Sequence, residues 1–354
     1  MEETVATRFL VLSDTHGDDF HLPSGQTYDV AIHCGDLTEE SKLAEFEACL
    51  KLLCTIDAPL KLVIGGNHDF TLDTPMFKRK LDEHSPPLEV ELVRREYGDF
   101  GHARALFDAE DARENGIVFL DEGTHQFELQ HGARLTLYAS PFTPSKSDWA
   151  FQYRPAEGHT FDMPEDVDVV VTHGPPKGIM DYTDARYRAG CADLFSAIYR
   201  SRPQMHCFGH IHEGWGAKKV HWRLGIPEDD QTHFTAIDND KSVVLENLAG
   251  LQSRKFDTPE RKVQKATKAK EYTDRGYCLA AETIEPGEET LCVNAALQGT
   301  DDHQMQLPWI VKLHLPRSRS SMPTHSSSAT MKRKLSVGKE GASKKIKGEQ
   351  LTPE

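Results

Sequence analysis

The chain has 354 residues, 38% of them hydrophobic and 27% charged, with 41 Lys+Arg against 56 Asp+Glu and a net charge of −15. That length suits one large or two ordinary globular domains, and no apolar run approaches the roughly 20 residues that cross a bilayer. Residues 316–354 carry a net +6, which leaves −21 on residues 1–315 and argues against general nucleic-acid binding by the body of the chain.

The acidic N-terminus, Met1-Glu2-Glu3, shows no signal-peptide pattern. Short apolar runs rich in β-branched residues predict strands at 9–12, 30–32, 60–64, 135–138, 167–171 and 205–208. Between them, residues 41–53 place Leu43, Phe46, Leu50 and Leu53 on one helical stripe. Residues 104–113 and 192–199 are predicted as further helices. Strands alternating with helices imply an α/β layered domain. Beyond Ala217 the pattern weakens, and 218–285, with its polar stretch 254–275, reads as an insertion before closing strands at 289–296 and 309–315. The domain therefore spans 1–315. The Ser/Lys-rich tail 316–354 holds too little apolar surface to order itself. Seven cysteines (34, 49, 54, 191, 207, 278 and 292), an odd number without a C-x-x-C pair, predict a reducing, cytoplasmic setting and no zinc ribbon.

Five of the predicted strands run into residues of metal-ligand type. The first leads to Asp14-Thr15-His16, the second to Gly35-Asp36 and the third to Gly65-Gly66-Asn67-His68-Asp69. The run 167–171 leads to Thr172-His173-Gly174, and 205–208 to Gly209-His210-Ile211-His212. A polar turn accounts for each motif taken singly. Parallel strands, however, would bring all five to one sheet edge, where α/β folds bind ligands. The candidate donors, Asp14, His16, Asp36, Asn67, His173, His210 and His212, mix imidazole with carboxylate and include no thiolate. Such a set suits Mn, Fe or Zn better than an all-oxygen magnesium or calcium cage. Seven donors exceed one tetrahedral site and fit two metals that share a carboxylate.

In this order the motifs resemble the calcineurin-like metallophosphoesterase superfamily, whose pattern is D-x-H … G-D … G-N-H-[ED] … H … G-H-x-H. The blocks Ser140-Pro141-Phe142-Thr143-Pro144, Trp149-Ala150-Phe151, His173-Gly174-Pro175-Pro176, Gly190-Cys191 and Gly209–Gly216 are similar to its MPPED-type subgroup. The resemblance implies a four-layer α/β/β/α sandwich of two mixed β-sheets. It implies one divalent or transition metal ion on Asp14, His16, Asp36 and His212, and a second on Asp36, Asn67, His173 and His210, with Asp36 bridging. It also implies that His68 serves the substrate phosphate and leaving group, and that Asp69 orients it. The activity implied is hydrolysis by a metal-bridging hydroxide of phosphodiesters, cyclic nucleotides among them, or of small phosphomonoesters, ahead of phosphoproteins. A low-activity or non-catalytic metal- or nucleotide-binding regulator on the same fold is the alternative.

Other residues are read less sharply. Trp149, Arg186, Arg188 and Trp215 are candidates for a substrate pocket, with Phe151 and Tyr187 beside them; ordinary packing and solvated loop charges are the competing explanations. Cys34, His33 and His206 read as packed residues behind the site. In the tail, Lys332-Arg333-Lys334 and Lys344-Lys345-Ile346-Lys347 resemble a bipartite nuclear-import signal, which makes an import receptor a candidate partner there; basic tail clusters without such a role are the competing reading. Ser336 resembles a basophilic kinase site. The other expected partner is a small phosphorylated substrate, nucleotide-like or not. Neither a membrane nor nucleic acid is expected as a partner.

Overall fold

The structure is a computed structural model that describes residues 3–18, 20, 22, 25–299 and 305–318. In chain order the first half contributes β1 (Thr4–Leu12), β2 (Val30–His33), α1 (Leu43–Thr55), β3 (Leu60–Val63), α2 (Thr74–Glu83) and α3 (Val90–Tyr97). It continues with α4 (His102–Phe107), α5 (Glu110–Glu114), β4 (Ile117–Phe119), β5 (Gly123–Glu128), β6 (Arg134–Ser140), β7 (Thr143–Pro144) and β8 (Gln152–Tyr153). The second half contributes β9 (Val169–Thr172), α6 (Ala192–Ser201), β10 (Met205–Phe208), β11 (Gly216–His221) and β12 (Val243–Asn247). It closes with α7 (Leu248–Leu251), α8 (Pro259–Arg275), β13 (Cys278–Ala280), β14 (Glu289–Asn294) and β15 (Trp309–Pro316).

Two mixed sheets result. The first has the order β13-β15-β1-β2-β3-β4, with β1 through β4 parallel and β15 antiparallel to β1. The second has the order β12-β11-β14-β10-β9-β6-β5, with β14, β10, β9 and β6 parallel. Strand alternation sorts the side chains into layers. Phe9, Val11, Val30 and Ile32 meet Val169, Val171, Cys207, Leu291 and Val293 in a core between the sheets. Leu10, Leu12 and Ala31 point the other way, against Phe46, Cys49 and Leu53 of α1 and Phe107 of α4. On the far side of the second sheet, Val170, Phe208 and Cys292 lie against Leu194, Phe195 and Ile198 of α6. Helix, sheet, sheet, helix is the four-layer order expected from the sequence.

Local details depart from the sequence reading. The helix expected at 104–113 is two short ones, because Ala109 adopts an extended conformation (ψ 156°) between them. Residues 218–285 do not stand apart from the sheets. Most of β11 lies in that segment and pairs antiparallel with both β12 and β14, while β13 pairs parallel with β15. The tail is described only to Ser318, whose N–H donates to Gly132 O at 2.8 Å; both basic clusters and Ser336 lie outside the described residues. Among the described residues, no helix is long and apolar enough to cross a membrane.

Phe46 of α1 lies in the core against the first sheet, is fully buried, and meets Phe107 edge-on at 6.2 Å. Phe46→Ala is expected to destabilise the protein by about 3–5 kcal/mol in urea unfolding, and a loss below about 1 kcal/mol would contradict this packing.

Candidate metal centre

Parallel strand ends build the site. β1 leads to Asp14 and His16, β2 to Asp36, β3 to Asn67 and His68, β9 to His173, and β10 to His210 and His212. The turns after β1 and β2 run side by side: Asp14 N donates to Gly35 O at 2.9 Å and Gly17 N to Leu37 O at 2.9 Å. An isolated parallel bridge between Ser13 and Ala296 joins the first sheet to the turn after β14. Asp14, His16, Asp36 and His210 all take left-handed backbone conformations, with φ of 53°, 50°, 51° and 66°. Such conformations cost about 1–3 kcal/mol each in non-glycine residues, persist only where the surroundings impose them, and cluster at functional sites.

These turns gather three overlapping groups whose ligand atoms lie within 4.8 Å of one another: Asp14, His16 and His212; His16, Asp36 and His68; and Asp36, His173 and His210. Asp36 Oδ2 lies 3.2 Å from His173 Nε2 and 3.9 Å from His16 Nε2, while Asp14 Oδ1 lies 3.3 Å from His212 Nε2. Asn67 Oδ1 is 2.9 Å from His173 Nε2. His173 Nδ1 donates to Cys34 O at 2.9 Å, a bond that fixes its proton there and turns Nε2 to the cavity as a lone-pair donor. His16 Nε2 is buried without any hydrogen-bond partner. Two glycines make the approach possible. A Cβ at Gly66 would collide with the Asp36 amide and carboxylate, and one at Gly209 with the Asp14 carboxylate.

The electrostatics are those of a cage short of positive charge. Burial by itself would raise the Asp36 carboxyl, but His173, His16 and His68 outweigh it and hold the group far below the usual range. Asp14, likewise opposed by burial, is held at about 2 by His212 and His173. Burial disfavours charged His16 and His173, yet Glu39 and the two aspartates push His16 up to about 9, and Asp36 and Asp14 do the same for His173. Two buried carboxylates need compensating cations. An orphaned imidazole nitrogen, a donor set without thiolate and this demand for positive charge all fit divalent metal ions.

Nothing in the sequence separates Glu39 from an ordinary turn acid, yet it belongs to the site. Its carboxylate lies 2.8 Å from His16 Nδ1, and its carbonyl accepts from His68 Nδ1 at 2.8 Å. One residue thus braces a candidate ligand and the candidate leaving-group histidine. Asp69 does not orient His68 as expected. It is fully buried and accepts from Gly66 N, Leu37 N, Thr38 N and Thr38 Oγ1 at 2.7–3.1 Å, so it ties the turn after β3 to the turn after β2. Burial and the Asp36 charge push its carboxyl up to about 6 against those bonds. His33 Nε2 meets Thr15 Oγ1 at 3.0 Å beneath the site, and burial lowers His33 and His206 to about 3, in keeping with packed neutral rings.

Of the four pocket candidates, only Trp149 stands against the cluster, its ring 4.5 Å from that of His68. Trp215 is 1% exposed, lies 5.4 Å from the Trp309 ring and donates Nε1–H to Leu307 O; with Leu248, Tyr272 and Leu307 it lines a cavity that includes none of the metal-ligand residues. Arg188 is engaged by buried Asp181 at 2.6 Å and braces its own loop. Arg186 is exposed and takes a left-handed conformation in that loop.

Comparison with known proteins agrees with this geometry. A family model described as "Calcineurin-like phosphoesterase" matches residues 7–214. "Probable rhamnogalacturonate lyase C" of Emericella nidulans is 33% identical over 220 residues, 61% of this chain and 18% of that protein. "UPF0046 protein T07D4.2" of Caenorhabditis elegans is 33% identical over 215 residues, covering 59% and 52% of the two chains. "Metallophosphoesterase domain-containing protein 1" of Homo sapiens is 31% identical over 218 residues, covering 59% and 62%. The chain thus spans less than two thirds of each of these relatives. A solved structure, TT1561 of Thermus thermophilus, is 12% identical with a TM-score of 0.36 and covers 61% of this chain and 84% of that one.

If Glu39 braces His16, Glu39→Ala should weaken Mn²⁺ binding about 10- to 100-fold in isothermal titration calorimetry. Unchanged affinity would show that the contact bears no weight.

Proposed function

We propose that this chain, which belongs to the calcineurin-like phosphoesterase family, hydrolyses phosphodiesters or small phosphomonoesters with the help of two divalent metal ions. The observation that carries this reading is the convergence of three ligand groups on shared members, Asp36 and His16, with His68 in the group that contains both. Asp14, His16, Asp36 and His212 would hold one ion, and Asp36, Asn67, His173 and His210 the other. Bound there, the ions supply positive charge to the phosphoryl oxygens and acidify water near neutral pH.

The protein's own part is positioning and proton transfer. Asp36 serves both halves of the cage because its Oδ2 faces His173 and His16, while Oδ1 accepts the His68 amide at 2.8 Å. That bond sets where the turn after β3 carries His68. The Glu39 carbonyl takes the Nδ1–H; when the ring carries its second proton, Nε2–H is the group that can hydrogen-bond a leaving oxygen or give it that proton, which returns the ring to the neutral Nδ1–H form. His68 is 21% exposed at its side chain, whereas Asp36 beneath it is 3% exposed. Substrate therefore meets His68 from the solvent side.

Small substrates fit this reading better than phosphoproteins or nucleic acid, given the −21 carried by residues 1–315. Cyclic nucleotides are the diesters to try first, and Mn, Fe or Zn the metals. The cytoplasm is the proposed location, with the nucleus as the alternative if the basic tail engages an import receptor.

His68→Ala is expected to lower kcat on chromogenic mono- and diesters by about 10²- to 10⁴-fold while elemental analysis still finds both metals. Loss of the metals in that variant would refute a role confined to chemistry. Background rates in the metal-loaded parent protein on the whole substrate panel would favour the regulatory alternative.

A further inference from the structure

We infer that Trp149 is a positioning residue for His68, held against the imidazole by a strap that Lys80 and its neighbours fasten. This rests on the reading of His68 as the leaving-group histidine. His68 makes one side-chain hydrogen bond, from Nδ1 to Glu39 O. That bond anchors the ring at Nδ1 but leaves the Nε2 edge some freedom to tilt. Two rings remove the freedom: His16 meets His68 edge-on at 4.8 Å, and Trp149 covers it at 4.5 Å with a 32° tilt.

Trp149 is itself fastened. Lys80 Nζ stands 4.8 Å from the Trp149 ring centroid and 5.2 Å from that of Phe70, two residues after His68. Partial burial lowers the Lys80 pKa against the charges of Asp148 and Glu83, and the two rings are direct partners of its ammonium. The backbone on either side of Trp149 is tied to the same segment. Arg79 pairs with Asp148 at 3.2 Å, Ala150 N donates to Asn67 O at 3.1 Å, and Phe151 N donates to Asp73 Oδ2 at 3.0 Å. The Phe151 ring occupies the space that a side chain at Gly65 would need. Residues 148–151 therefore form a strap across the turn that presents Asn67 and His68. With its ring engaged by His68 and Lys80, Trp149 is a brace for the imidazole; it is not a free platform for a nucleobase.

A brace of this kind makes a prediction that a merely structural tryptophan does not. In metal-loaded protein, Trp149→Ala should lower kcat about 10- to 100-fold on phenyl phosphate and much less on p-nitrophenyl phosphate, whose better leaving group needs little help. KM and metal content should hold. Trp149→Phe should recover most of the loss, and Lys80→Met should show a smaller loss of the same kind. In a His68→Ala background, Trp149→Ala should add nothing. Orthovanadate binding by calorimetry gives the same cycle without turnover: Trp149→Ala should weaken it only when His68 is present. Equal losses on the two phosphates, or a full additional loss in the His68→Ala background by either readout, would overturn the inference. If His68→Ala itself shows no leaving-group dependence, the reading of His68 fails. A dependent His68→Ala beside an independent Trp149→Ala sinks the brace alone.

Discussion

The structure turns on one buried carboxylate. Asp36 has Oδ1 committed to the His68 amide and Oδ2 facing imidazoles from both sheets, His16 after β1 and His173 after β9. A carboxylate in that position is tolerable only with cations around it, and its neighbours are arranged to supply or hold them. Its own backbone is strained at φ 51°, and the chain around it is cleared by Gly66, where any side chain would displace it. The strain is imposed from outside: the turn after β1 hydrogen-bonds along the turn after β2, and Asp69 rivets that turn to the one after β3.

The two-sheet architecture serves this arrangement. Each sheet alone offers only part of the donor set, Asp14, His16, Asp36 and Asn67 from one and His173, His210 and His212 from the other. The core of Phe9, Val11, Val169, Val171 and Leu291 presses the sheets together, and the bridge between Ser13 and Ala296 locks their active edges in register. Stability and function are therefore coupled. Close packing between the sheets sets the distances across the candidate cage.

Much of this was legible in the sequence because strands and ligands leave local signatures. Short apolar runs rich in β-branched residues announced β1, β2, β3, β9 and β10, and the Asp, Asn and His residues follow those runs directly. Less legible was anything that depends on which side chain meets which. Glu39 looks like a turn acid until the fold places it between His16 and His68. Asp69 follows His68 in sequence, yet its side chain turns inward to four donors elsewhere. Trp149 and Trp215 are indistinguishable as aromatics, but one covers an imidazole and the other is buried against Trp309. Residues 218–285 read as an insertion because β12 is an edge strand with Val243 and Val244 exposed, and α8 packs little apolar surface. Their pairing with the central strands is non-local and leaves no periodicity to read.

The central claim is that Asp36 joins two cations into one centre. The most direct measurement is electron paramagnetic resonance of the protein reconstituted with Mn²⁺. A shared carboxylate predicts an exchange-coupled pair with a multiline spectrum at two equivalents of metal. Two independent six-line signals at the same loading would show separate sites and contradict the account.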